Sequence, residues 1–273
     1  SYNQFANRVA VSDNAAVNVL TAPANYATSM SFNATGLVVT AVASTVTTAN
    51  AAVDVVKVDN TAVALALTTG VDALTGSKAS DTFTADILTV GATDSIIDAS
   101  GTDNDTLNMT INNTVAATFK TTDVETINVT SLGGNTINMD LMTGVDALNT
   151  TGSTGTVTVA AAANAGMALG FAGSSTNNIS ATYTTDALSG TADKLMVNLS
   201  TATGVTAAVN AGFETAEVAV TGTSSLTLLT APGVTAVTVS GTGALTIADN
   251  ALANFTAVTV TDTAAISTGV MAG

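Results

Sequence analysis

Asp94, Asp98, Asp103 and Asp105 form the densest carboxylate cluster in the chain, with Ser100 and Asn104 supplying further oxygens between them. Asp72, Asp81 and Asp86 form a looser group just upstream. Calcium takes about six to eight oxygen ligands, and short carboxylates on tight turns deliver them. Asp72, Asp81, Asp94, Asp98, Asp103 and Asp105 are therefore the candidate calcium ligands. The competing explanation is local: Asp favours turns because its side chain bonds its own backbone there. The spacing lacks the glycine and the distant glutamate of an EF-hand.

Other chemistry is narrowly bounded. The 273-residue chain contains no His, no Cys and no Trp. The Ser-His-Asp and Cys-His arrangements cannot be built, and neither can imidazole or thiolate metal sites. A glycosidase needs only two carboxylates, and Asp103 with Asp105, or Asp123 with Glu125, are the pairs to nominate. Sugar-cleaving sites normally add aromatic platforms, yet aromatics make up only 4% of the chain. Arg8 is the sole arginine that could serve a lyase as base. The expectation is a protein that is not an enzyme. Lys and Arg total 5 against 20 acidic residues, a net charge of -15. A surface that tracks nucleic-acid phosphates is excluded by that balance.

The elements that would position these carboxylates are strands. Hydrophobic residues reach 47% while charged residues stay at 9%, the reverse of a disordered chain. Thr and Val dominate the patterned segments, and β-branched residues suit a pleated surface. Only 2 prolines interrupt them. The last third repeats: Glu217–Val220, Ser225–Leu228, Ala236–Val239, Ala244–Ile247 and Ala257–Val260 all alternate apolar and polar residues. Aligning Val218 with Val237, Val237 with Val258, and Leu226 with Leu245 gives a period of about 20 residues, in the solenoid range. Residues 125–129 with 135–139, and 146–149 with 155–159, carry the same pattern. Two short strands per coil of about 20 residues describe an all-β β-solenoid, or β-helix. A β-sandwich, with strands every 8–12 residues, is the alternative.

The spacing predicts a small, partly helical entry region over residues 1–60 and the solenoid over 61–273. The Ala-rich stretch Ala160–Ala168 reads as a short helix or loop on the solenoid. No apolar stretch approaches the roughly 18 residues of a membrane span; Leu37–Ala43 and Val157–Ala163 are among the longest.

Several phrases resemble bacterial surface-layer and RTX-like proteins exported by type I secretion. Leu67-Thr68-Thr69-Gly70-Val71-Asp72-Ala73-Leu74-Thr75-Gly76, followed by Ser80-Asp81-Thr82-Phe83, is similar to the phrase that opens the repeat region in such proteins. Asp94-Ser95-Ile96-Ile97-Asp98 with Gly101–Leu107, and Val124-Glu125-Thr126-Ile127-Asn128-Val129, resemble two phrases that follow it. Phe5-Ala6-Asn7-Arg8-Val9 is similar to the stretch that joins an upstream domain to this region. The resemblance spans about residues 1–135. It implies an extracellular protein of the bacterial cell surface that assembles with itself into a coat or fibre, with outer-membrane polysaccharide as a further partner. It also implies calcium held on Gly-Gly-x-Gly-x-Asp turns. The chain departs from those turns: only Gly76, Asp81 and Phe83 match in one place, and Gly101, Asp105 and Leu107 in the other. An adhesin that binds a foreign surface or glycan is the closest rival reading, and a polysaccharide-active β-helix enzyme the more distant one.

Overall fold

The computed structural model describes residues 31–33, 36–38, 61–115, 118–173, 176–248, 250–251, 256–261 and 265–268. The chain divides into two compact units, residues 1–60 and 61–273. In the first unit, strands Ser31–Asn33 and Gly36–Val38 pair antiparallel. The segments expected to be helical there, within 5–20 and 47–56, lie outside the described residues.

The second unit is a parallel β-solenoid of about 9 turns, with roughly 21 residues per coil. A 10-stranded sheet forms its continuous wall, each coil adding one strand in chain order from Ala64–Ala66 to Ala257–Val260. The first coils return through a 4-stranded sheet made of Ala73–Thr75, Ser95–Ile97, Lys120–Thr122 and Met142–Thr143. Later coils return through an 8-stranded sheet that runs from Asn135–Asn138 to Ala265–Thr268. The coil from Thr126 to Thr143 carries a strand of all three sheets and hands one return wall over to the other. Every described strand pair in this unit is parallel, which a β-sandwich of antiparallel sheets is not.

Alternation explains why these residues stack this way. Phe83, Leu107, Ile127, Leu148, Leu169, Val197, Val218 and Val239 form one inward column, each pair in direct register across neighbouring coils. All are buried to 1% exposure or less. Residues on either side of each point outward, as the two-residue side-chain period requires. Each coil adds one side chain to this column and several more to the interior, most of them aliphatic, with Phe83, Phe119, Phe171, Tyr183 and Phe213 filling the wider places.

The coil length varies. Leu65 stacks on Phe83, an offset of 18 residues, and Leu169 on Val197, an offset of 28. In the last third the register differs from the sequence alignment. Val218 lies against Val239 rather than Val237, and Leu226 against Ile247 rather than Leu245. Val237 does lie against Val258. The misaligned pairs are off by two residues, which preserves the face and so leaves no trace in the alternation. Ala160–Ala168 is not helical. Its first three residues end strand Val157–Ala162, and Ala168 opens the next strand after a turn.

At one corner the coils approach so closely that only hydrogen fits. A Cβ on Gly155 would sit 2.6 Å from the carbonyl oxygen of Gly133 and 2.7 Å from the amide nitrogen of Gly134, both in the preceding coil. Backbone cannot swing aside as a side-chain tip can. Gly155→Ala is therefore expected to cost about 1–3 kcal/mol, the range for overpacking. Urea unfolding of the variant against wild type measures it.

Candidate metal centre

The corner that leads into the long sheet carries a column of carboxylates. Asp81, Asp105, Glu125 and Asp146 each stand immediately before a strand of that sheet: Thr82–Ala85, Thr106–Ile111, Thr126–Ser131 and Ala147–Thr151. Since those strands are in register, the carboxylates stack. The first three then accept a backbone N–H from the coil before, while Asp146 Oδ1 accepts from the Asn164 amide of the coil after it at 3.3 Å. Asp81 Oδ1 accepts from Val63 at 2.6 Å, Asp105 Oδ1 from Asp81 at 2.7 Å, and Glu125 Oε2 from Asp105 at 2.7 Å. Charge-assisted bonds of this kind are about twice as strong as neutral ones, and they tie consecutive coils together.

Asp98 enters from the other side, directly after strand Ser95–Ile97. One carboxylate oxygen of each of Asp81, Asp98 and Asp105 falls within 4.8 Å of the others. Oxygens on a common calcium ion, at about 2.3–2.6 Å from it, can be up to about 5 Å apart. The three residues are 1%, 4% and 0% exposed. Ser77 supports the site: its N–H donates to Asp81 Oδ2 at 2.5 Å and its hydroxyl to Asp81 Oδ1 at 2.9 Å. The Ser100 N–H donates to Asp98 Oδ2 at 2.5 Å. Asp98 Oδ1 and Asp105 Oδ2 are buried with no hydrogen-bond partner, as are both carboxylate oxygens of Asp103.

A buried carboxylate oxygen without a donor is costly unless a proton or a cation meets it. The electrostatics agree. Burial, with the charges of Asp98 and Asp103, pushes the Asp105 carboxyl up to about 7. Burial also raises Asp98 and Glu125, and the charge of Asp103 adds to both. Space is reserved for these groups. A Cβ on Gly76 would collide with Asp98 Oδ1, stand 2.6 Å from Asp81 Oδ2, and press on the ring of Phe83. Among the described residues, a buried carboxylate cluster able to hold a metal ion is thus present, built by Asp81, Asp98 and Asp105.

The remaining candidates separate. Asp94 is buried, but its Oδ1 accepts from the Asp72 N–H at 3.0 Å and its Oδ2 from Gly91 at 2.6 Å. Asp72 caps its own turn, accepting the Thr68 N–H at 2.7 Å. Asp72 therefore does the local work expected of a turn aspartate, while Asp94 both closes its own turn and ties its coil to the one before. Asp103 stands outside the group of three, but its oxygens are buried without partners and its charge acts on Asp98, Asp105 and Glu125. Asp86 bonds the Leu88 N–H in an exposed turn. Of the nominated enzyme pairs, Glu125 is committed to the Asp105 N–H, and Asp123 occupies a left-handed turn at φ 53°.

Sequence spacing groups Asp81 with Asp72 and Asp86, whereas the coils bring it to Asp98 and Asp105. The repeated triplet of carboxylate, small polar residue and apolar residue was the available signal. Asp81-Thr82-Phe83, Asp105-Thr106-Leu107 and Glu125-Thr126-Ile127 mark the same corner in successive coils. No protein-family model matches the chain, and no curated protein matches it in sequence.

Proposed function

We propose that this chain is a structural protein of the bacterial cell surface that associates with copies of itself into a coat or fibre and holds calcium at the Asp81–Asp98–Asp105 centre. The observation that carries the reading is the outer surface of the long sheet. On strands Thr106–Ile111, Thr126–Ser131 and Ala147–Thr151 its outward residues are mostly polar and uncharged, and they run in register. Thr106 continues into Thr126, Asn108 into Asn128 and Asn149, and Thr110 into Thr130. Such rows offer a repetitive polar surface on which a second copy can pack in register. The resemblance of residues 1–135 to exported surface-layer proteins supports the same reading. A net charge of -15 opposes close packing of copies unless cations screen or neutralise it.

Calcium fits the centre by its chemistry. It accepts an all-oxygen, flexible ligand set, and a bound ion would neutralise the carboxylates that burial disfavours. Asp81, Asp98 and Asp105 would hold it, with Asp103 beside them. The test is electron microscopy of the purified protein with calcium and with a strong chelator. Sheets or fibres in calcium and single particles in chelator are expected. Single particles under both conditions overturn self-association, and equal assembly under both overturns the role of calcium.

A further inference from the structure

The outward row of strand Ala168–Ala172 differs from its neighbours. Its outward residues are Ala168, Gly170 and Ala172, where the preceding strand presents Asn149 and Thr151 and the following one Asn198 and Ser200. The small row leaves a trough of about 510 Å³ across the long sheet, floored by Gly170 and Ala172. Its walls are the side chains of Asn149 and Thr151 on one side and Asn198 and Ser200 on the other. That volume lies within the range of small-molecule sites, about 300–1,000 Å³.

The Asn149 wall is organised. Nδ2 of Asn149 donates to Oδ1 of Asn128 at 2.9 Å, and Nδ2 of Asn128 donates to Oδ1 of Asn108 at 2.9 Å. The amides form a chain that donates in one direction, and amides aligned in this way polarise one another. The chain ends at the trough with a carbonyl. Oδ1 of Asn149 lies over Gly170, in the space a Cβ would take. The glycine is thus what lets the amide lean across the floor.

The lining selects the occupant by elimination. No Lys, Arg, Asp or Glu contributes to it, in a chain of net charge -15. Nucleic acid and anionic ligands find no cation there. A peptide cannot add as a strand, because Ala168–Ala172 is already hydrogen-bonded on both edges. A lipid chain would strand the amides of Asn149 and Asn198 without partners. A ligand with many neutral hydroxyls satisfies amide carbonyls, amide N–H groups and the Thr and Ser hydroxyls at once. We infer that this trough is a binding site for a neutral oligosaccharide, with Asn149 and Asn198 as the principal hydrogen-bonding residues. The site is separate from the carboxylate centre, and its Asn149 wall is part of the Asn108–Asn128–Asn149 row of the proposed packing surface, so a ligand here and a second copy would compete.

The experiment is binding of the purified chain to an array of immobilised neutral oligosaccharides, with uronic-acid and sulfated glycans on the same array. The best neutral ligand is then titrated against wild type, Asn198→Ala and Gly170→Ala. Asn198 is exposed, so its substitution leaves the fold intact, whereas the new Cβ at position 170 displaces the Asn149 amide. A neutral glycan that binds wild type, and that each variant binds at least about tenfold more weakly at unchanged melting temperature, is the expected result. Retention of charged glycans only, retention of none, or undiminished affinity in Asn198→Ala overturns the inference. If Gly170→Ala melts early, Asn198→Ala alone decides.

Discussion

Calcium-free protein is expected to lose stability as pH rises from about 4 to about 7, opposite to the usual acid-denaturation slope. Asp105 sets the window. Its carboxyl starts from an ordinary value of 3.8 and is pushed to about 7 in the folded chain, first by burial and then by Asp98 and Asp103. Between those values the folded state binds more protons than the unfolded state, so stability falls with rising pH. The proton's stabilising effect is complete below the lower value and gone once pH passes the upper one. Asp98 and Glu125 are raised as well and act in the same sense. The loss should be on the order of a few kcal/mol. Saturating calcium should remove most of the slope, since the ion replaces the proton at Asp98 and Asp105 while Glu125 still titrates; at a hundredfold excess over Kd it contributes about 2.7 kcal/mol. Asp105→Asn separates the two effects. It removes the charge and keeps the shape, so above pH 7 the calcium-free variant should melt above calcium-free wild type while gaining little from calcium. Urea unfolding across pH, with chelator and with calcium, provides the measurement. Chelated wild type that gains stability steadily over this pH range, or a variant that responds to calcium as wild type does, would refute the assignment.

The wall of the solenoid was legible in the sequence because inward apolar residues alternate with polar ones along each strand and recur at a coil-length period. Val237 and Val258, assigned to each other by that period, do stack. Exact register was less legible, because a two-residue slip such as Val218 onto Val237 keeps every side chain on its own face. The carboxylate centre was half legible. Asp98, Asp103 and Asp105 are close in sequence, but Asp81 reaches them only because one coil returns above another, and that depends on coil lengths that vary from 18 to 28 residues. Asp94 shows the reverse: close to Asp98 in sequence, it stands just before strand Ser95–Ile97 while Asp98 stands just after it. The trough was invisible, since Gly170 acquires meaning only between Asn149 and Asn198.

The longest coil supplies the other large expected effect. Where the offset grows to 28 residues, Tyr183 and Phe213 fill the widened interior, 2% and 1% exposed. Their rings meet edge to face, with centroids 4.9 Å apart at 87°. The Tyr183 hydroxyl donates to the Met167 carbonyl at 3.2 Å, and Asn210 brackets the Tyr183 backbone by accepting its N–H at 2.8 Å and donating to its carbonyl at 3.1 Å. Burial raises the phenol's pKa, which keeps it neutral and donating. Phe213→Ala removes the partner ring and leaves a cavity that rigid coils on either side cannot close, at an expected cost of about 3–5 kcal/mol. Phe213→Leu restores much of the volume and should recover a large part of that cost. Coils of a solenoid contact mainly their neighbours, so the damage should stay local. In hydrogen exchange, amides of Ile179–Tyr183 and Val205–Val209 should lose protection first, while Thr106–Ile111 keeps most of its own. Equal loss in all three strands would mean that the stack unfolds as a single cooperative block, and the aromatic pair would then be holding the whole wall rather than its widest coil.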